Sequence, residues 1–157
     1  MTDIKEFLKI VASQALATKM FPSACTPRIK VGPKGGSVLL PLRDQSAIEV
    51  ALEANFKRLR VGFITEDRGF NDQVEDQLLA GGESFSELLE VELEELVSDA
   101  DHYEVDHYFD RDVRAFHFST CVHFNVDNLA EESFKKKVGI LAAAFRGVLR
   151  ELVEFYI

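Results

Sequence analysis

Apolar residues recur along this chain with two different periods, and the periods divide it into helices and strands. Near the start, Ile4, Phe7, Leu8 and Val11 follow the i, i+3, i+4, i+7 spacing of one helical face. The spacing predicts a helix over 3–20, with Thr2 or Asp3 as its N-cap. Pro22 and Pro27 in "FPSACTPR" then exclude a continuous helix. "RIKVGPKGGSVLLPLRD" reads as a hairpin turning at Gly32–Gly36. Those glycines are not a phosphate loop, which needs G-x-x-x-x-G-K-[ST] after a strand.

Residues 47–57 fit both periods. Ser46 and Glu49 can form a capping box, and Ile48, Leu52, Phe56 and Leu59 share one helical face. Yet Ile48, Val50 and Leu52 also alternate with Glu49, Ala51 and Glu53, as in a strand. The Ala, Glu and Leu content favours helix, sheet context favours strand, and both stay open. "RLRVGFITE" is a strand either way.

"DRGFNDQVEDQLLAGGES" reads as an acidic loop or short helical turn. It is not a calcium loop. Counted from Asp67, Gly69 and Leu78 fall where oxygen ligands belong. Ser84 and Glu87 form a capping box that opens a helix from Phe85 to about Ser98. Phe85, Leu88, Leu89, Leu93 and Leu96 make its inner stripe. Glu87, Glu90, Glu94 and Glu95 face outward as an acidic partner surface. Asp99 and Asp101 follow its C-terminal end, where the helix dipole favours cations, so a neighbouring cation is expected there.

Residues 102–109 and 113–125 alternate again and predict a hairpin turning around Asp110-Arg111-Asp112. Matching the apolar faces requires an even-numbered loop. Phe109 opposite Asp112 meets that condition and sets Glu104 opposite His117 and His102 opposite Ser119. His102, Glu104, His117 and Cys121 then share one polar face, while His107 points to the core side. These four are the candidate metal ligands by residue type. Neighbours on a flat sheet converge poorly, however, and no C-x-x-C or H-E-x-x-H motif supports them. Cys121 with His123 lacks a third group to orient it as a nucleophile. His117 and His102 are candidates for pH sensitivity. The expectation is no metal, no cofactor and no catalytic residue.

The last helix carries the strongest repeat. Phe134, Val138, Leu141, Phe145, Val148, Leu152 and Phe155 step alternately by four and three, an a/d seam. Asn128 with Glu131 serves as its cap, and Glu131–Lys135 and Glu132–Lys136 are oriented i,i+4 pairs. About 28 residues would span about 40 Å, longer than a small domain is wide. The seam therefore meets either the chain's own core or a second copy.

Charge sharpens this. The net charge of −9 is uneven: residues 61–112 hold seventeen Asp/Glu and two Lys/Arg, while residues 1–60 hold five and ten. An acidic middle argues against nucleic acid and for a basic protein or peptide partner. At 157 residues and 46% hydrophobic, the chain fits one domain spanning 1–157 with a real core. Cys25 and Cys121, far apart in sequence, suit a reduced, cytoplasmic setting. Acids near the start argue against a signal peptide, and no 18-residue apolar window suggests a membrane span.

With 47–54 as strand, the order is α-β-β-β-β-α-β-β-α, and losing one short strand gives α-β-β-β-α-β-β-α. That order, the pI near 4.9, the helix "FSELLEVELEELV", the hairpin "HYEVDHYF…VRAFHFSTCVHF" and the long last helix resemble the type III secretion chaperone-like group, which includes YbjN-type bacterial regulators. A helix at 47–57 would depart from the pattern. The resemblance implies a cytoplasmic homodimer that binds protein segments along its outer surface, with no catalytic residues. The whole chain thus predicts an α+β fold, an antiparallel sheet flanked by an N-terminal helix, an acidic central helix and a long C-terminal helix. The expected role is a non-enzymatic, chaperone- or adaptor-like protein-binding module acting as a homodimer. The alternative is a small-molecule- or metal-responsive regulatory domain using the polar face of the 102–125 hairpin.

Overall fold

The computed structural model describes residues 3–43 and 45–153. Helix α1 (Ile4–Ala17) is followed by four strands, β1 (Arg28–Val31), β2 (Gly36–Pro41), β3 (Ser46–Glu53) and β4 (Arg58–Thr65). Helices α2 (Arg68–Gly81) and α3 (Phe85–Leu96) lead to β5 (Asp106–Asp110) and β6 (Ala115–Val122). A 3-10 turn at Val126–Ala130 precedes α4 (Glu132–Leu152). The six strands form one antiparallel sheet in the order β1-β2-β3-β4-β6-β5, so β1 and β5 are its edges. The predicted α+β architecture is the one observed.

Asp3 caps α1, accepting from the Glu6 amide at 3.2 Å; the other candidate, Thr2, lies outside the described residues. Residues 46–53 are strand. Ile48, Val50 and Leu52 sit between β2 and β4 with Glu49 and Ala51 on the opposite face. Pairing with β4 throughout and with β2 over 47–52 outweighs the helical preference of Ala, Glu and Leu. The β3–β4 turn holds Ala54, Asn55 and Phe56 at φ of 54°, 59° and 65°, a left-handed run that non-glycine residues rarely adopt.

The acidic segment after β4 is longer in structure than expected. It forms the full helix α2, not a loop or a short turn. Asp67 caps it by accepting from the Gly69 and Phe70 amides, and Gly82 closes it at φ 69°. The Ser84–Glu87 capping box opens α3 as predicted. The acids beyond its end are compensated from another element, since Lys137 of α4 pairs with Asp101.

Helix α4 starts later than predicted and is 21 residues long. The cap box upstream is Asn125 with Asn128, and it belongs to the 3-10 turn. Lys135 pairs with Glu132 at i,i+3 instead of Glu131. Residues 138–149 are buried without a break, the pattern of a helix enclosed on all sides. It lies on β3 and β4 with α1, α2 and α3 around it. Gly139 permits a close approach to α1: a Cβ there would stand 2.8 Å from the Val11 carbonyl oxygen. The seam is thereby intramolecular. Phe134, Val138, Leu141, Phe145 and Val148 are at most 7% exposed, and Leu152 is half-buried. Phe155 lies outside the described residues.

Candidate functional site

The sheet has a polar face as well as a core face. Register places Leu39, Glu49, Gly62, Ser119 and Asp106 in one cross-strand row. Neighbouring rows on that face hold Ala51, Arg60 and Cys121, then Ala47, Ile64, His117 and Tyr108. Two cavities of about 370 and 540 Å³ lie on this side. Their lining comes from strands and their turns alone. This face is a groove across the sheet.

Arg60 is its hub. The Nη1 atom is 2.6 Å from Glu49 Oε1, a charge contact not aligned as a hydrogen bond, and 2.9 Å from His117 Nδ1. The Nε atom donates to Glu53 at 3.3 Å. Glu49 sits opposite Gly62, and His117 lies opposite Ile64. The guanidinium therefore has to cross Gly62 to reach both. A side chain at 62 would also strike the backbone of Phe118 and Ser119.

The hydrogen bond fixes the state of His117. A guanidinium only donates, so Nδ1 must accept and the proton sits on Nε2. Burial and then the Arg60 charge push the His117 pKa down to about 4. Tyr108 stacks flat on the ring at 4.8 Å, and Asp110 is 4.0 Å from Nε2. Burial pushes the Glu49 carboxyl up, and Arg60 opposes that. The cluster is a neutral histidine beside a buried ion pair. It offers no nucleophile and no paired acid and base.

The register of the hairpin differs from the predicted one. The loop is even-numbered, but it holds four residues, 111–114, with Arg114 at φ 53°. Tyr108 stands opposite His117 and Asp106 opposite Ser119, four residues from the expected pairing. His102 and Glu104 precede the strand altogether. They hydrogen-bond each other at 2.7 Å, and His102 lies 3.7 Å from Glu90 of α3. The Glu104 bond raises the His102 pKa.

The four candidate ligands are thus split. His102, Glu104 and Cys121 line one cavity of about 560 Å³ with Lys137 and His123, while His117 is buried under Tyr108. Among the described residues no three His, Cys, Asp or Glu side chains are grouped to hold a metal ion. Cys121 accepts from Arg58 Nε at 3.3 Å. His107 faces the core side as expected, stacked on Phe118 at 3.8 Å. Its Nε2 meets Asn71 Oδ1 at 2.8 Å and its Nδ1 meets Glu75 at 3.3 Å. Helix α2 therefore serves this histidine and brings no ligand to the polar face.

Arg60 was not among the candidates read from the sequence. Its signal was present: an arginine inside an otherwise apolar strand, two residues past Arg58 and facing the same side as Glu49 and His117 once the strands are aligned. Glu87, Glu90, Glu94 and Glu95 are exposed on α3 as predicted.

Compared with protein-family models, curated proteins and solved structures, the chain finds no match. No helix among the described residues is long and apolar enough to cross a membrane.

Proposed function

We propose that the chain is a non-catalytic protein-binding module, chaperone- or adaptor-like, whose β5 edge accepts an extended basic segment of a partner protein. The supporting observation is β5 itself. It ends the sheet with one backbone edge unpaired, and four of its five residues are exposed. Phe109 and Val113 beside it are 46% and 53% exposed. Such an edge adds a strand through main-chain hydrogen bonds, while alternate side chains select the partner. Asp106, Asp110 and Asp112 surround the apolar pair, and the outward acids of α3 extend the same charge. That charge favours Lys and Arg at the partner's flanking positions.

A second copy suits the edge less well. Antiparallel pairing about Tyr108 would set Asp106 opposite Asp110, and like charges directly opposed are destabilising. The helix seam that suggested a homodimer is filled by the chain's own core. The partner in this reading is therefore a different, basic protein. Capture of a protein segment is also what the resemblance to the chaperone-like group implies, whereas the homodimer it implies is not required by an edge of this kind.

Fluorescence anisotropy with a labelled peptide of alternating Lys and Val tests the reading. Saturable binding at low salt that weakens as salt rises is expected. The double variant Asp106→Lys, Asp110→Lys should weaken it at least about tenfold, roughly 1.4 kcal/mol. Equal binding by wild type and variant, or no saturable binding at low salt, sinks the proposal.

A further inference from the structure

A second cavity, away from the β5 edge, has the opposite charge. It measures about 580 Å³ and lies between the segment after α1, the end of β2 and α4. Pro22, Ala24, Pro41 and Leu42 supply apolar wall, and Arg28, Arg43 and Arg146 supply three cations. No Asp or Glu is among its described lining residues. Arg28 and Arg43 are exposed at the rim, whereas Arg146 is 5% exposed.

Arg146 is the anomaly. Its Nε and Nη1 atoms are buried and have no hydrogen-bond partner among the described residues. Guanidinium N–H groups withdrawn from water without partners are costly, and a buried polar group left unpaired calls for a missing partner. Burial and then the charge of another cation on its own helix, Arg150, lower the Arg146 pKa. Cys25 offers no counter-charge. Burial raises its thiol pKa, and its Sγ faces the Pro41 carbonyl at 3.7 Å.

We propose that this cavity binds a small organic oxyanion, with a phosphate or carboxylate head on Arg146 and an apolar body against Pro22, Ala24, Pro41 and Leu42. The planar fork of a guanidinium matches two oxygens of such a head. The volume is in the range of small-molecule sites. Arg28 at the rim adds charge that draws the anion inward.

Thermal unfolding at constant ionic strength tests this, with chloride replaced by inorganic phosphate in one arm and by acetate in the other. Saturable stabilisation is expected, roughly 5–10 °C at a hundredfold excess over the dissociation constant. A larger effect of phosphate assigns a phosphate head, and a larger effect of acetate assigns a carboxylate head. Arg146→Met should lose the anion-dependent shift, whereas Lys9→Ala, an exposed cation on α1, should keep it. Arg28→Ala should weaken the apparent affinity about tenfold. Because Arg146→Met can fail to fold, the Arg146 Nε–H resonance of the wild type is followed by NMR in the same titrations. Movement of that resonance to saturation supports the site. The proposal is overturned if neither anion stabilises the wild type beyond chloride, if the resonance stays still, or if a folded Arg146→Met variant keeps the full shift.

Discussion

On the helix-covered face of the sheet, Leu40, Ile48, Phe63 and Phe118 stand in one cross-strand row. One residue along, Leu39, Glu49, Gly62 and Ser119 make a row on the other face. The first row is closed by shape: Phe63 lies 5.3 Å from Phe70 and 6.2 Å from Phe118, ring to ring. The polar face is closed by charge, with Arg60 reaching across a glycine to Glu49 and His117. Both bury their central side chains: Phe63 is fully buried, Arg60 is 9% and His117 1% exposed, and Glu49 is half-buried beside them. The same strands therefore carry two kinds of stability, one set mainly by packing, with His107 on Phe118 as its titratable margin, and the other set by the protonation of a buried cluster.

Four substitutions or conditions separate the two faces. Phe63→Ala should have the largest effect, about 3–5 kcal/mol in urea unfolding, and the loss should be the same at pH 5 and pH 7. A much smaller loss at pH 5 would show that the faces are not independent. Acidification comes next. His117 stays neutral in the folded protein down to about 4, against an ordinary 6.5. The unfolded chain binds a proton in that window and the folded chain does not. Stability should therefore fall as pH drops from about 6.5 towards 4, by up to about 3 kcal/mol. His117→Gln should flatten that part of the profile. His102 acts with the opposite sign. Its raised pKa gives stability that is complete below the ordinary value and lost as pH rises through the raised one.

Arg60→Met should cost about 2–3 kcal/mol, because it leaves Glu49 buried without its cation. Adding Glu49→Leu should restore most of the loss, and a double-mutant cycle measures the coupling. The same Arg60→Met change should narrow the His117 pH window, since the Arg60 charge helps to lower that pKa. Lys137→Ala should have the smallest effect. It removes an exposed pair with Asp101, worth about 0.2–1 kcal/mol and weakened by salt. A loss above that range would mean that the end of α3 depends on this cation for more than charge.

Much of this contrast was legible in the sequence and some was not. The helix stripes, the α3 capping box and the even-numbered hairpin loop follow from local spacing, and the structure has them. Residues 46–53 were undecided because Ala, Glu and Leu favour helix locally, while the decisive pairing comes from β2 and β4. Helix α2 was read as a loop or a short helical turn because Gly69, Asn71 and Asp72 are poor helix formers. The signals were Asp67 before Phe70, Val74 and Leu78, and Gly82 behind them. The hairpin register slipped by four residues because parity restricts pairing only to every second residue, and the turn length settles the rest. The Arg60 cluster joins β3, β4 and β6, so its members became neighbours only after three strands were placed. The Arg146 cavity is more distant still. Arg146 lies off the a/d seam, and only burial distinguishes it.

The enclosure of α4 also has a consequence for synthesis. Helix α1 rests on α4 across Gly139, and β3 and β4 take their cover from α4. Everything from Ile4 to Val122 leaves the ribosome before that cover exists. Until α4 emerges, the face of the sheet that carries Val50 and Val61 lacks this cover, and an uncovered apolar face is prone to association. Closure of the core then waits on one late helix, and the sheet stays open to association until that helix docks.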